Sequence, residues 1–588
     1  MKQGTSPLPR PEHPEPMAVR ETWQNLNGEW LFAFDFGGSG RERGLFAPDA
    51  DDKYPERITV PFCPESPLSG IGYTDFIPSV WYKRKIHVTA RELAGRVLLH
   101  FGAVDFRSFV FVNGKEVGSH AGGYSSFSFD ITPFLSEGEN DLTVNARDDV
   151  RSFRQPAGKQ SNRYASYGCK YTRTTGIWQT VWLEFVPKTY IQSFRCYPDP
   201  EEGVFDFTFR LSGKGTLTAE AFYEGRPMGK AVKTGAGNAL RLRLPLAETH
   251  LWEVGAGRLY DLVFTLESDG ERDVLRSYAG LREVQIDGMK VLINGKSVFQ
   301  RTVLDQGFYP DGIYTAPSDE ALQKDIELSM ALGFNGARLH EKIFEARFLY
   351  HCDRAGYLVW GEHANWGLNI TVPEGLAAFL PEWVEAVERD FNHPAIIGWC
   401  PFNETWDFEG KRRDPRILAA VYHATKAIDP TRPVIDTSGN FHVVTDIYDQ
   451  HDYNQDPVSF REAYIGYDGK KESFKLRHED KQVYLPDLPF FMSEFGGIKW
   501  VPEKDRETAN KDAWGYGDAP QTEEEFLSRY EGLVAAILDA PNIMGFCYTQ
   551  LYDVEQETNG LYTYGREKKF DDYSRIVAAN KRKAAIED

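Results

Sequence analysis

At 588 residues the chain is too long for one hydrophobic core, so two to four domains are expected. Its 41% hydrophobic and 26% charged residues are those of a soluble globular protein. A formal charge of −20 excludes a nucleic-acid partner, which needs clustered Lys and Arg, and gives no attraction to anionic membranes; a neutral substrate fits it better.

The opening stretch MKQGTSPLPRPEHPEP is Pro-rich and polar, without an apolar run. No later segment is a membrane-span candidate, so a cytoplasmic location with no membrane partner is expected. Six cysteines (Cys63, Cys169, Cys196, Cys352, Cys400, Cys547) lie scattered without a CxxC pair and read as reduced, mostly buried thiols.

From Trp23 to Pro187, short alternating apolar runs such as RVLLHF, SFSFDIT and TVWLEFV are split by turn signals. Asn113-Gly114 between two such runs predicts a tight hairpin, because both central residues of a type I′ turn need positive φ. A β-sandwich over residues 1–187 follows. A second all-β stretch over 188–284 carries FDFTFRLSG, GTLTAEAFYEG and YDLVFTLES, with the length of an immunoglobulin-like sandwich.

From residue 285 the period changes. SDEALQKDIELSMAL puts Leu322, Ile326 and Met330 on one helical face, with Asp319 and Glu320 at the dipole-favoured start and Gly333 beyond the end. Helix and strand then alternate: GARLH, EARFLYHCDRA, YLVWGE, WVEAVERDF, IIGWCPFNE, Ile417–Ile428, PVIDTSG. Thr522 and Glu525 have capping-box spacing before a helix holding Leu527, Tyr530, Val534 and Ile537, and IMGFCYTQLYDV comes after it. The pattern and length over 285–588 predict a (β/α)₈ barrel.

Barrel active sites gather at the C-terminal strand ends, so polar residues closing apolar runs are the informative ones. Glu362, Glu404, His451 and Glu494 do so, with Glu404 and Glu494 assigned to the fourth and seventh strands. A carboxylate pair across one pocket is what glycoside hydrolysis needs: one, protonated, gives a proton to the leaving oxygen, and the other, ionised, attacks the anomeric carbon. Asn403 is placed to orient substrate beside Glu404, and Arg338 to hold Glu494 ionised. No His/Asp cluster has metal-ligand spacing, so no metal and no cofactor is indicated.

The chain resembles glycoside hydrolase family 2, which includes β-galactosidases, β-glucuronidases and β-mannosidases. WQNLNGEWLF, WYKRKI, GAVDFRSFVFVNGKEVGSHAGGYSSFSFDIT and TTGIWQTVWLE match its N-terminal signature. DIELSMALGFNGARLH, FNHPAIIGWCPFNE and MSEFGG match its barrel, in order and at family spacing. The resemblance implies a jelly-roll, an immunoglobulin-like domain and a TIM barrel. It implies retention of configuration through a covalent glycosyl-enzyme, with Glu404 as acid/base, Glu494 as nucleophile and Asn403 on the sugar's 2-hydroxyl.

The sugar is less legible. The family's glucuronidases carry an Asn-x-Lys element past the eighth strand; here Asn559 is followed by Gly560 with no Lys two positions on, although Lys568 and Lys569 lie nearby. Substrate contacts are expected from Arg338, His340, Asp305, Gln306, Glu362, His451, Tyr453, Tyr548 and Gln550, with Trp366 and Trp406 as sugar platforms and Trp399 in the core. A β-galactosidase acting on a small oligosaccharide or glycoside is the leading expectation. Arabinofuranosidase, galactofuranosidase, β-glucuronidase and β-mannosidase are the enzymatic alternatives, and a carbohydrate-binding protein on a hydrolase scaffold is the non-enzymatic one. Self-association into a homo-oligomer is left open.

Overall fold

The predicted turn at Asn113-Gly114 forms: φ is +51° and +77° at the two residues, and strand Arg107–Val112 folds back onto Lys115–Ala121. The structure is a computed structural model describing residues 8–470, 473, 481–506 and 510–587. The first seven residues, on which the reading of the N-terminus partly rests, lie outside the described ones.

The hairpin belongs to a six-stranded sheet that faces a four-stranded one. Alternating residues such as Val80, Tyr82, Leu99, Phe101, Val144 and Leu183 fill the space between them. This is the jelly-roll. The immunoglobulin-like sandwich follows, with three strands on one sheet and four on the other, closed over Phe205, Phe207, Leu217, Leu262 and Phe264.

The barrel strands come next. Gln300–Asp305, Gly336–Leu339, Leu358–Glu362 and Ile396–Cys400 are the first four; Tyr448–Asp452, Phe490–Gly496 and Ile543–Thr549 are the sixth to eighth. All pair in parallel, and the eighth closes onto the first. Residues 433–438 (PVIDTS) take the fifth position as single bridges, Val434 to Trp399 and Ser438 to Asn403. Toward the sixth strand the seam is held by side chains, with Ser438 Oγ on Asp449 and His442 on the Asp449 carbonyl.

The helices form as their signals predict. Ser318 caps Asp319–Ala331, which buries Leu322 and Ile326 and leaves Met330 half-buried. Gly356 ends Ala346–Ala355 at φ +67°. Thr522 accepts from Glu525 N, while Glu525 turns its carboxylate to Gln521 N and leaves the reciprocal half of the capping box unmade. None of the described helices is long and apolar enough to cross a membrane. The six cysteines are free, and all but Cys169 are buried.

One inter-domain feature positions the site. The jelly-roll's long connection through residues 150–171 is stitched to the barrel by backbone bonds, Ala157 N to Trp366 O (2.8 Å) and Gly158 N to Ala364 O (3.1 Å). It returns on itself through Tyr171 N to Lys159 O (2.7 Å). Lys159, Lys170 and Tyr171 therefore stand at the barrel mouth.

Candidate active site

Arg338, on the second strand and 1% exposed, organises the floor. Its Nη1 donates to Glu494 Oε1 (3.1 Å) and the Ser493 carbonyl (2.7 Å). Its Nη2 donates to Glu362 Oε2 (2.8 Å) and Asn403 Oδ1 (3.1 Å). A planar guanidinium suits this because its fixed fork serves acceptors on two sides. With Oδ1 engaged, Asn403 keeps its Nδ2 as the donor for a ligand, and Asn365 fixes the Asn403 backbone from both sides (2.7 and 3.0 Å).

Glu494, buried on the seventh strand, also accepts from the Tyr453 hydroxyl. Tyr453 is held flat against Tyr516, with ring centroids 3.4 Å apart. Glu404 lies four residues past the end of the fourth strand, at φ +44°, and its side chain is 20% exposed. Glu404 and Glu494 thus differ in setting: one opens to the cavity and the other is clamped beneath it.

His451 lies between them. Its Nδ1 is 2.7 Å from Glu404 Oε1 and 3.3 Å from Glu494 Oε2, and its Nε2 is 3.1 Å from Ser438 Oγ. Ser438 gives its own proton to Asp449 (2.6 Å), so its oxygen is an acceptor for Nε2, which Arg338 Nη1 also approaches at 3.5 Å. Burial opposes a charged ring, but Glu494 and Glu404 outweigh it and hold the pKa above the ordinary histidine value. Burial likewise pushes Glu404 up, while the hydrogen bond and charge of His451, with Lys159 and Trp406, bring it below the usual carboxylate range. The shifts run in opposite directions and favour a charged imidazole beside an ionised Glu404.

Among the described residues, Glu404, His451 and Glu494 are the group whose donor atoms could hold a metal ion, lying within 4.8 Å of one another. The hydrogen bond between His451 and Glu404 draws two of these atoms to 2.7 Å.

The other expected contacts divide. His340 meets Glu362 at 3.2 Å, and burial keeps it well below the usual histidine pKa and therefore neutral. Gln306 and Gln550 bond each other at 2.5 Å, and Gln550 passes through Asn559 to Glu557, so they hold Glu557 in place. Trp366 lines the cavity, but Lys159 Nζ covers its ring at 3.9 Å and Lys170 Nζ at 4.7 Å. Trp406, 50% exposed, lines the same cavity, and Trp399 is in the core, bonded to Asp429.

Two expectations are corrected. Tyr548 does not reach the pocket: its side chain packs on the helix side of the eighth strand against Phe495 and Tyr530, with no exposed surface. Asp305 turns to the Tyr552 hydroxyl (2.5 Å) and Gly307 N (2.9 Å), toward Asp325 and Arg566 and away from the carboxylate pair. Near the eighth strand, Lys569 is spent on buried Asp553 at 2.8 Å.

Sequence reading missed Lys159, Glu341, Glu557 and Tyr171. Burial lowers the pKa of the Lys159 ammonium, and Cys169, then Glu557, Glu341 and Glu494, raise it above the ordinary lysine value. Glu341, at φ +51°, has its pKa pushed up to about 8 by burial. Tyr171 donates to Glu557. Beside Glu404 a cavity of about 270 Å³ opens, lined by Phe153, Trp366, Leu368, Ile370, Trp406 and Phe408 among others, and predominantly apolar.

A parallel barrel that brings two carboxylates together at the C-terminal ends of its strands, with donor atoms within 4.8 Å, defines the class of site used in glycoside hydrolysis. Residues 23–154 match the model of the glycosyl hydrolases family 2 sugar binding domain, and residues 284–471 that family's TIM barrel domain. The chain belongs to glycosyl hydrolase family 2.

It is 26% identical to a β-glucuronidase of Paenibacillus borealis over 72% of this chain and 74% of that one. It is also 26% identical to a β-galactosidase of Leuconostoc mesenteroides, over 71% of this chain and 42% of that one. Its match spans 57% of the length of a Formosa agariphila relative. In fold it is similar to the Lactobacillus rhamnosus β-glucuronidase, with a TM-score of 0.79 and 20% identity over 97% of this chain and 99% of that one. The Ruminococcus gnavus β-glucuronidase in complex with D-glucuronic acid gives 0.77 and 20%, over 96% and 98%.

Proposed function

We propose that the chain is a retaining exo-glycosidase that removes a terminal sugar by double displacement. The observation carrying this is the close approach of the pair: one oxygen of Glu404 and one of Glu494 lie within 4.8 Å, which supports retention. Retention needs carboxyl groups roughly 5–5.5 Å apart, whereas inversion needs about 6.5–9.5 Å to admit a water.

In this reading Glu494 attacks the anomeric carbon, held by Arg338 and Tyr453. Glu404 passes to the leaving oxygen the proton that His451 Nδ1 hands it across 2.7 Å, which leaves Glu404 ionised and the imidazole neutral. Glu404 then takes a proton from the water that breaks the glycosyl-enzyme. The Asn403 amide binds the 2-hydroxyl, where the bond strengthens as charge builds on the ring. The apolar cavity beside Glu404 receives the leaving group.

For the sugar, a neutral β-galactoside-type hexose is the reading we favour. Glu341, Glu557 and Glu362 offer hydroxyl acceptors, the Asn-x-Lys element is absent, and Lys569 is tied to Asp553. A β-glucuronide is the second reading, favoured by the Lys159 ammonium and by several relatives' names. Nitrophenol release from β-D-galactopyranoside, β-D-glucuronide, β-D-mannopyranoside, α-L-arabinofuranoside and β-D-galactofuranoside separates these. Release from none of them, with the Glu494→Ala protein as blank, would overturn the assignment.

A further inference from the structure

A second cavity, of about 540 Å³, lies in the jelly-roll and is lined by Arg107, Arg147, Arg151, Arg154 and Arg173 around Phe76. Five guanidinium groups around one hollow are unexpected in a chain of net charge −20. Arg107 and Arg147 stand directly opposite each other on paired antiparallel strands, where like charges repel. Arg151 and Arg173 flank Phe76, 3.9 and 4.1 Å from its ring centre.

The cluster is offset from within only in part, by Glu65, Asp75 and Asp148 acting on Arg173. Among the described residues, none of the five arginines is in salt-bridge contact with a carboxylate. Two carboxylates line the cavity. Asp148 is bonded to the Gln155 amide (2.6 Å), with its pKa pushed up to about 7 by burial, and Asp149 accepts from the Arg151 backbone. Arg173, 3% exposed, gives its Nη atoms to backbone carbonyls, including those of Ser161 and Thr74, and leaves its buried Nε without a partner. A buried, unsatisfied, charged donor is costly, and an incoming anion would relieve it.

The position indicates what brings the anion. Val150 lines both this cavity and the one beside Glu404, so the two adjoin across one side chain. A glycan leaving the Glu404 cavity on the leaving-group side meets the arginines next. We propose that this cavity binds an acidic group, a carboxylate or sulfate ester, borne on the glycan whose terminal sugar the barrel receives. The route, though not the anion site itself, rests on reading the Glu404 cavity as the leaving-group side.

Binding, not turnover, tests this, so failure of the catalytic reading stays distinguishable. Full-length Glu494→Gln protein is titrated with trigalacturonate and its neutral methyl ester, with dextran sulfate and dextran, and with sodium sulfate alone. The acidic member of each pair should bind at least about 10-fold tighter, and sodium sulfate at least about 10-fold weaker than the acidic glycans. Arg151→Ala/Arg154→Ala, both exposed positions, should abolish the preference. Arg210→Ala/Arg241→Ala on the immunoglobulin-like sandwich, with the same charge change, should keep it. Arg107→Gln provides a second test should the double variant fold poorly. Equal affinity for acidic and neutral partners, or a preference untouched by the arginine variants, overturns the proposal. Sodium sulfate binding as tightly as the glycans overturns the glycan assignment.

Discussion

His451 Nδ1 lies 2.7 Å from Glu404 Oε1, and the ring's other nitrogen faces Ser438 Oγ at 3.1 Å, so in the proposed mechanism the imidazole hands its mobile proton toward Glu404. The pair shares a proton over a defined window. His451 has a raised pKa, so its share is complete below the ordinary histidine value and is lost as pH rises through the raised one. Glu404 has a lowered pKa, so its charge is present above the ordinary carboxylate value and is lost as pH falls through the lowered one.

Activity should therefore hold on the alkaline side to a pH above the ordinary histidine pKa. In His451→Asn, Glu404 must carry its own proton, and the alkaline limb of kcat should move to lower pH. The rate on poor leaving groups should fall about 10²-fold. A pH–rate profile checks this, and an unmoved limb would remove the proton-supply role.

Much of this arrangement is legible in the sequence. Glu404, Glu494, Asn403 and Arg338 announce themselves because each ends or follows an apolar run with a polar group that a buried strand would not carry. The barrel helices are legible from capping residues and period, as at Ser318 and Gly356. Lys159 and Tyr171 are not, because they lie in an aperiodic connection whose place at the barrel mouth is set by long-range backbone bonds. Tyr548 misleads for the opposite reason: alternation along a strand gives two faces but does not say which one looks inward.

The two carboxylates should fail differently. Glu494→Ala should lower kcat by more than about 10⁴-fold on every substrate, the scale of losing a nucleophile. Arg338 keeps Glu362, Asn403 and the Ser493 carbonyl, so the fold should persist by circular dichroism. Read on kcat/KM, which reports the first step, Glu404→Ala should largely spare an activated aryl glycoside and suppress an alkyl glycoside by about 10²-fold or more, because only the alkyl leaving group needs the proton. Equal losses on both would contradict the acid role.

Arg338 is where catalysis and stability meet. Arg338→Met leaves Glu362 and Glu494 buried without their cation, a loss of about 3–5 kcal/mol on the scale of broken buried pairs. Arg338→Lys retains charge but cannot serve acceptors on two sides, and should recover part of the stability with little of the activity. Urea unfolding of the three proteins, read beside kcat, gives the order expected: wild type, then Lys, then Met.

Lys159 decides between the two sugars. Its ammonium stands over Trp366 among Glu557, Glu341 and Glu494, contributed by the jelly-roll. If the substrate is a neutral hexose, Lys159→Met should raise KM by less than about 10-fold, the scale of one ordinary hydrogen bond. With that cation gone, the Glu404 pKa should also rise, since Lys159 helps to lower it. If the substrate is a uronide, the same change removes the cation facing the sugar's carboxylate, and kcat/KM on the glucuronide should fall by about 10²-fold or more while any galactoside activity survives. Side-by-side kcat/KM values for the two aryl glycosides, wild type against Lys159→Met, give the ratio that selects one reading. A ratio unchanged by the substitution would show that Lys159 serves the carboxylates around it and never meets the sugar.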